Sequence, residues 1–363
     1  MKFIINKIAF SKYFFICFFF SIFHSAHSLK AQRVYNIETL PAHPLGSSFR
    51  GLQAVSDQII WVSGSKGTVG LSTDGGSHWR WQQVVGYEKR DFRDIVAFDS
   101  VTALIMAIAE PAVILRTDNG GLTWLPVFTD STPGMFLDAM HFIDANNGLV
   151  VGDPIGKSAF LANTNDGGRS WQSFHLLQAN ITPIPLDSGE AFFASSGSNV
   201  QLMHPGKANN GWMVTGGNRS RLMYTDGQAS FDLPFYPGGT SRGANSIAMR
   251  DAFRGIIVGG DFSNDTAKAN NCVIVDLHQV GTKVEEIFSR PVTPPAGYRS
   301  CVAHIKGNQW ITCGTSGIDI TLDGGINWQP ISTIGYHTLS ISPKGKYAYL
   351  AGGGGRLARI RIK

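Results

Sequence analysis

Ser72-Thr73-Asp74-Gly75-Gly76-Ser77-His78-Trp79 decides how this chain is read, because the stretch comes back. It returns as Thr117-Asp118-Asn119-Gly120-Gly121-Leu122-Thr123-Trp124, with Asn119 in the place of the acid. It returns again as Thr164-Asn165-Asp166-Gly167-Gly168-Arg169-Ser170-Trp171 and as Thr321-Leu322-Asp323-Gly324-Gly325-Ile326-Asn327-Trp328. A worn copy stands at Tyr224-Thr225-Asp226-Gly227-Gln228-Ala229-Ser230-Phe231. The pattern, Ser/Thr-x-Asp-x-Gly-x-x-Trp, is that of a tight turn between strands. The acid accepts hydrogen bonds from nearby backbone N–H groups, Gly supplies positive φ, and the aromatic folds back onto the hairpin. Asp74, Asn119, Asp166 and Asp323 therefore read as braces of loops rather than as chemical groups.

The first three copies lie about 45–47 residues apart, the next interval is about 60, and the last, about 100, has room for one unmarked unit. A period of about 40–50 residues with several short strands per unit specifies an all-β fold, a β-propeller. Each unit has an aromatic-led strand, a turn, an apolar strand ending near Gly, a loop, and a strand running into the box. Cut in this way, the blades fall at about 48–90, 91–134, 135–187, 188–241, 242–296, 297–334 and 335–363, which makes seven. The fifth has no box, and Val273-Ile274-Val275-Asp276 fills that strand. The seventh ends without its outermost strand, while residues 33–40 read as a strand without a blade. Pairing the two closes the ring and removes a free sheet edge.

Lys2, Lys7 and Lys12 precede an apolar run from Tyr13 to Phe23 that is too short for an easy bilayer span. Ala26-His27-Ser28 then places small residues where a signal peptidase reads. The expectation is a secretory signal over 1–28 and a single exported domain over 29–363, periplasmic or extracellular, with no stable membrane span after cleavage. The formal charge of +5 drops to about +2 without the leader, so the pI says little about nucleic acid or anionic lipid, and no nucleic-acid partner is expected. Cys301 and Cys313 flank the turn at Lys306-Gly307-Asn308 and should face each other across a hairpin. A disulfide and a pair of buried thiols are both open to them. No Cys/His spacing suits zinc, and no metal or cofactor is expected.

One or two residues after the leading aromatic or Gly of each unit stand Arg50, Arg93, Leu137, Glu190, Asn245, Arg299 and His337. The first strand of a propeller blade lines the central channel and starts on the face opposite the box turns, so these side chains should ring one channel mouth. The loops after the second strands open on the same face and bring Glu110, Asp153, Asn218, Arg219, Asp261, Ser316 and Arg356, with Arg242 beside them. Several Arg converging with Glu190, Asp153 and Asp261 suit an anionic ligand, a protein or a glycan, held by a monomeric module. The same groups could instead pair between blades and clasp the ring.

The boxes and their period resemble the bacterial neuraminidase repeat. Over roughly residues 45–363 the chain is similar to the photosystem II stability/assembly factor family of seven-bladed propellers, in its broad bacterial branch. Gly152-Asp153-Pro154, Ala194-Ser195-Ser196-Gly197, Val258-Gly259-Gly260-Asp261, Tyr298-Arg299-Ser300 and Gly355-Arg356-Leu357-Ala358-Arg359 carry this likeness. It implies a binding or assembly module. Relatives in this branch also bear labels such as glycosyl hydrolase or oxidoreductase. A sialidase needs an Arg triad, a Tyr nucleophile paired with Glu, and an acid/base Asp. Phe49-Arg50 resembles the opening Phe-Arg-Ile-Pro of that family, but Gly51-Leu52 follows, and Tyr236 with Glu190 is the pair on offer. Glycoside hydrolysis by Asp153, Glu190 or Asp261 is the enzymatic alternative. A redox role has no residues behind it: Gly352-Gly353-Gly354-Gly355 precedes a strand, where a dinucleotide loop would open a helix.

Overall fold

The computed structural model describes residues 35–174, 183–203, 210–280 and 283–362; the expected leader at 1–28, with Cys17, lies outside them. The described chain forms seven antiparallel sheets, the blades of a propeller. Blade 1 shows the plan, with strands Phe49–Ala54, Ile60–Gly64, Thr68–Ser72 and Arg80–Gln83 paired in sequence order. The first strand of each blade lies beside that of the next, and the first strand of blade 7, Thr338–Ile341, lies beside that of blade 1.

Apolar residues on both faces of the inner strands create seven buried clusters, and each cluster sits between two neighbouring blades. The fold is thus held by interfaces around a ring, with no single centre. Closure uses the N-terminal strand as expected: Ile37–Leu40 pairs antiparallel with Leu357–Arg361, with Ile37 opposite Ile360 and Leu40 opposite Leu357. Arg359 fixes the register by donating to both carboxylate oxygens of Glu38, at 2.7 and 2.8 Å. Residues 33 and 34 of the expected strand lie outside the described residues.

The boxes form the turns between third and fourth strands. In the first, Ser72 Oγ accepts from the Gly76 amide at 2.8 Å and Asp74 Oδ1 from the His78 amide at 2.9 Å. Thr117, Thr164 and Thr321 repeat the first bond, and Asn119, Asp166 and Asp323 repeat the second. The His78 amide and ring hold the Asp74 carboxyl at about 2, so it stays ionised as a brace. The second box Gly has φ between 77° and 94° in the four full copies. It also touches the preceding blade: a Cβ on Gly168 would sit 2.4 Å from Leu104, and one on Gly325 would sit 2.7 Å from Ile256. Gly is needed there twice over, for the turn and for the blade interface.

Blade 4 departs from the expected cut. Its first strand is Val200–Leu202, not the segment beginning at Ser188. Glu190–Ala191 pairs instead with Gly216–Gly217, which continues onto Gly243 of blade 5. Residues 192–199 are thereby freed from any sheet. Cys301 and Cys313 do face each other in register, and both are buried free thiols, as is Cys272. Gly353–Gly355 forms one turn of 3-10 helix ahead of a strand.

Candidate functional site

At the start of their first strands four blades carry a one-residue bulge, at Arg50, Arg93, Asp138 and Asn245. A bulge breaks the alternation of side chains and turns the extra residue out of the sheet. All four line one cavity of about 470 Å³, together with Ser300 of blade 6 and His337 of blade 7. These are equivalent positions. The residues just before two of them, Phe49 and Arg299, each donate their amide to the carbonyl of a Gly in the preceding blade, Gly352 and Gly259. The sequence register is therefore off by one in two blades. Leu137 takes the place of Phe49 and is buried core, while Asp138 reaches the cavity. Arg299 also takes the place of Phe49, and Ser300 reaches the cavity.

The freed segment of blade 4 crosses the channel and floors the cavity. The Ser195 carbonyl accepts from Arg50 of blade 1 at 3.2 Å. Ser196 Oγ donates to the Ser300 carbonyl at 2.6 Å, and Thr338 Oγ1 of blade 7 donates to the Ser196 carbonyl at 3.3 Å. Gly197 lies against the Asp94 carboxylate of blade 2, and Ser198 Oγ bonds Ser246 Oγ of blade 5 at 2.7 Å. Contacts to five blades place Ser195–Ser198 across the channel. Ala191–Ser195 line the cavity on one side, and Ser196–Ser198 line a second hollow on the other.

The cavity is basic on one wall. Arg50 makes no ion pair among the described residues; burial, then the charge of Arg93, lowers its pKa. Arg93 is held by Asp91 at 2.8 Å. His337 is kept neutral, pushed down to about 4 by burial and then by Arg50. The blade 3 wall is acidic. Asp138 is fully buried, and neither carboxylate oxygen has a hydrogen bond of normal geometry. Burial, then Asp153, pushes its carboxyl well up, with Arg93 and the amides of Asp153 and Ala194 pulling the other way. Burial raises Asp153 to about 6, although the Phe192 amide donates to it at 3.0 Å. Phe136, Phe193, Phe262 and Tyr298 complete the walls. The Tyr298 hydroxyl donates to Asn245 at 2.8 Å, and burial raises its pKa to about 12.

Thus Arg50, Arg93, Asn245, His337 and Asp153 come together, and the other candidates do not. Arg299 is fully buried inside blade 6, donating to Asp319 at 2.6 Å, the Tyr298 carbonyl at 2.7 Å and Ser316 at 2.8 Å. Glu190 is clasped by both arms of Arg221, at 2.8 and 2.7 Å, and by Thr215. Arg242 and Asp261 pair at 2.8 Å beside Tyr236 in a separate hollow, so Tyr236 and Glu190 are not assembled and no Arg triad forms among the described residues. Glu110 is exposed and does not line the cavity. Asn218 bonds the Ser188 carbonyl, Arg219 pairs with Asp187 and Asp232, and Arg356 lies over the Tyr336 ring. Asp138 was missed; its signal was a lone carboxylate in the apolar run Leu137-Asp138-Ala139-Met140, where burial is costly without a partner or a purpose.

Fold and boxes together define a seven-bladed β-propeller with acid-braced turns and a blind cavity at one channel mouth. The chain superposes on the structure "YCF48 bound to D1 peptide" with a TM-score of 0.61 at 16% identity, covering 92% of this chain and 96% of that one. It matches YCF48 from Cyanidioschyzon merolae with a TM-score of 0.60, again at 16% identity, over 91% of this chain and 99% of that one. The likeness of fold expected from the boxes and phrases is thereby borne out. A sialidase of Micromonospora viridifaciens is 29% identical over 133 residues, 37% of this chain. The chain spans only 17% of that sialidase's length. No family model matches the chain. Among the described residues no helix is long and apolar enough to cross a membrane.

Proposed function

We propose that this protein is an exported binding or assembly module that takes an anionic group of a partner polypeptide into the cavity at the channel mouth. The observation that carries this reading is Arg50, a mostly buried guanidinium on the cavity wall with no carboxylate partner among the described residues. A buried charge without a partner is costly, and a ligand carboxylate offers the missing pair. Arg93 is the second receptor, and the aromatic walls suit an apolar side chain beside the anion. The D1 peptide bound to YCF48 supports a polypeptide as the ligand class. The leader-like residues 1–28 support export. A surface-immobilised array of short peptides, with acidic side chains or free C-terminal carboxylates and their amide controls, tests the reading. Binding should fall with salt and be lost in the Arg50→Ala, Arg93→Ala double variant, with folding retained. Salt-insensitive binding that survives both changes would refute it.

A hydrolase is the second reading, favoured by the partial sialidase match and by two acids, Asp138 and Asp153, in a cavity with two Arg. Under it the protein would turn over an aryl-sialoside or aryl-glycoside, and Asp153→Asn would stop the reaction. The expected result is no turnover on such a panel.

A further inference from the structure

The acids on the blade 3 wall play no part in attracting an anion. They stand in a cavity whose receptors are cationic. A ligand carboxylate drawn in by Arg50 and Arg93 would be a third acid beside Asp138 and Asp153, walled by Phe136, Phe193 and Phe262. Three carboxylates cannot all stay ionised against two guanidiniums, one of them already paired with Asp91. Neither Asp138 oxygen has a hydrogen bond of normal geometry, and among the described residues Asp153 accepts from the Phe192 amide alone. As a neutral acid, either becomes a hydrogen-bond donor toward the cavity, which a carboxylate ligand needs and an ionised acid cannot supply.

We propose that the cavity binds a carboxylate together with a proton, which is taken from solvent and held by Asp138 and Asp153. This rests on the anion-binding reading above. The other charged or titratable groups facing the acids are Arg50 and Arg93 with Asp91, Tyr298 from blade 6 and His337 from blade 7. Tyr298 stays neutral throughout the neutral range, and His337 is already neutral there. That leaves the two acids as the groups that change protonation when an anion arrives. Burial holds the Asp138 carboxyl well above the ordinary carboxylate range, and Asp153, at about 6, is the one that gains the proton near neutrality. The sign follows. An anion favours the protonated acid, so affinity is full below the free value of Asp153. It falls as pH rises through that value toward the higher one of the complex, by up to about tenfold per pH unit.

N-acetyl-phenylalanine, a carboxylate on an aromatic side chain, is the probe, and its amide is the control. Titration calorimetry of the whole protein near pH 6.5, in buffers of different ionisation enthalpy, counts protons taken up per carboxylate bound. The expectation is an uptake of between a half and one proton, roughly tenfold weaker binding for each unit of pH between about 6.5 and 8, and little binding of the amide. Asp153→Asn, a permanent neutral acid mimic, should abolish most of the uptake and tighten binding near pH 7.5. Asp153→Ala, which removes the donor, should also abolish the uptake but leave binding weak. Thermal melts of both variants check folding. If the carboxylate binds, needs Arg50, and takes up no proton across this range, anion binding stands and the proton coupling is overturned. If neither probe binds at millimolar concentration, both readings fail together.

Discussion

Replacing Arg299 by Ala separates the two roles open to the arginines of this chain. Its guanidinium is fully buried and donates to the equally buried Asp319, to the Tyr298 carbonyl and to Ser316. Without it, Asp319 keeps, among the described residues, only the Ala296 amide, at 3.2 Å, and its carboxylate stays in the interior of blade 6. Breaking a buried pair from one side costs about 3–5 kcal/mol, mainly because an uncompensated charge remains. Arg50→Ala removes one hydrogen bond to a carbonyl and relieves like-charge repulsion from Arg93, so its cost to stability should be about 1 kcal/mol or less. Urea titrations followed by tryptophan fluorescence measure both. A third variant, Arg299→Met with Asp319→Leu, removes both charges and should recover most of the loss. Arg299→Ala within about 1 kcal/mol of the parent, or a double variant no better than the single one, would refute the assignment of Arg299 as an internal clasp.

Trp328 is 3% exposed and packs on Cys272 and Val258 of blade 5, so Trp328→Ala should cost about 3–5 kcal/mol in the same titration. A loss below about 1 kcal/mol would contradict a box aromatic that seals a blade interface. Between about pH 4 and 6.5 Asp153 and His337 contribute opposing slopes to stability. The raised carboxyl of Asp153 makes the folded state bind the extra proton, so its contribution falls as pH rises toward about 6. The depressed His337 makes the unfolded state bind it, so its contribution grows as pH rises from about 4 to 6.5. His337→Gln should therefore leave stability falling with pH in that window relative to the parent, and Asp153→Asn should leave it rising. Thermal melts across the window check both, and parallel curves for all three proteins would contradict the two shifts.

The boxes were legible because each is local. Every hydrogen bond that defines one joins residues within four positions, so type and spacing alone determine the turn, and its repeat determines the propeller. The homeless strand near residue 37 was legible for the same kind of reason, since a missing outer strand and a spare one can be matched by counting. The cavity was legible only in part. Which side chain faces the channel depends on a one-residue bulge, and a slip of one position sends a side chain to the other face of its strand. Where the leading aromatic occupies the buried place, as Phe49 and Phe92 do, the next residue, Arg50 or Arg93, lines the cavity. Where Leu137 or Arg299 fills that place, Asp138 and Ser300 were hidden behind them. The floor at Ser195–Ser198 was beyond local pattern altogether. Its conformation is held by partners in five blades, up to 145 residues away, and those partners meet only when the ring has closed.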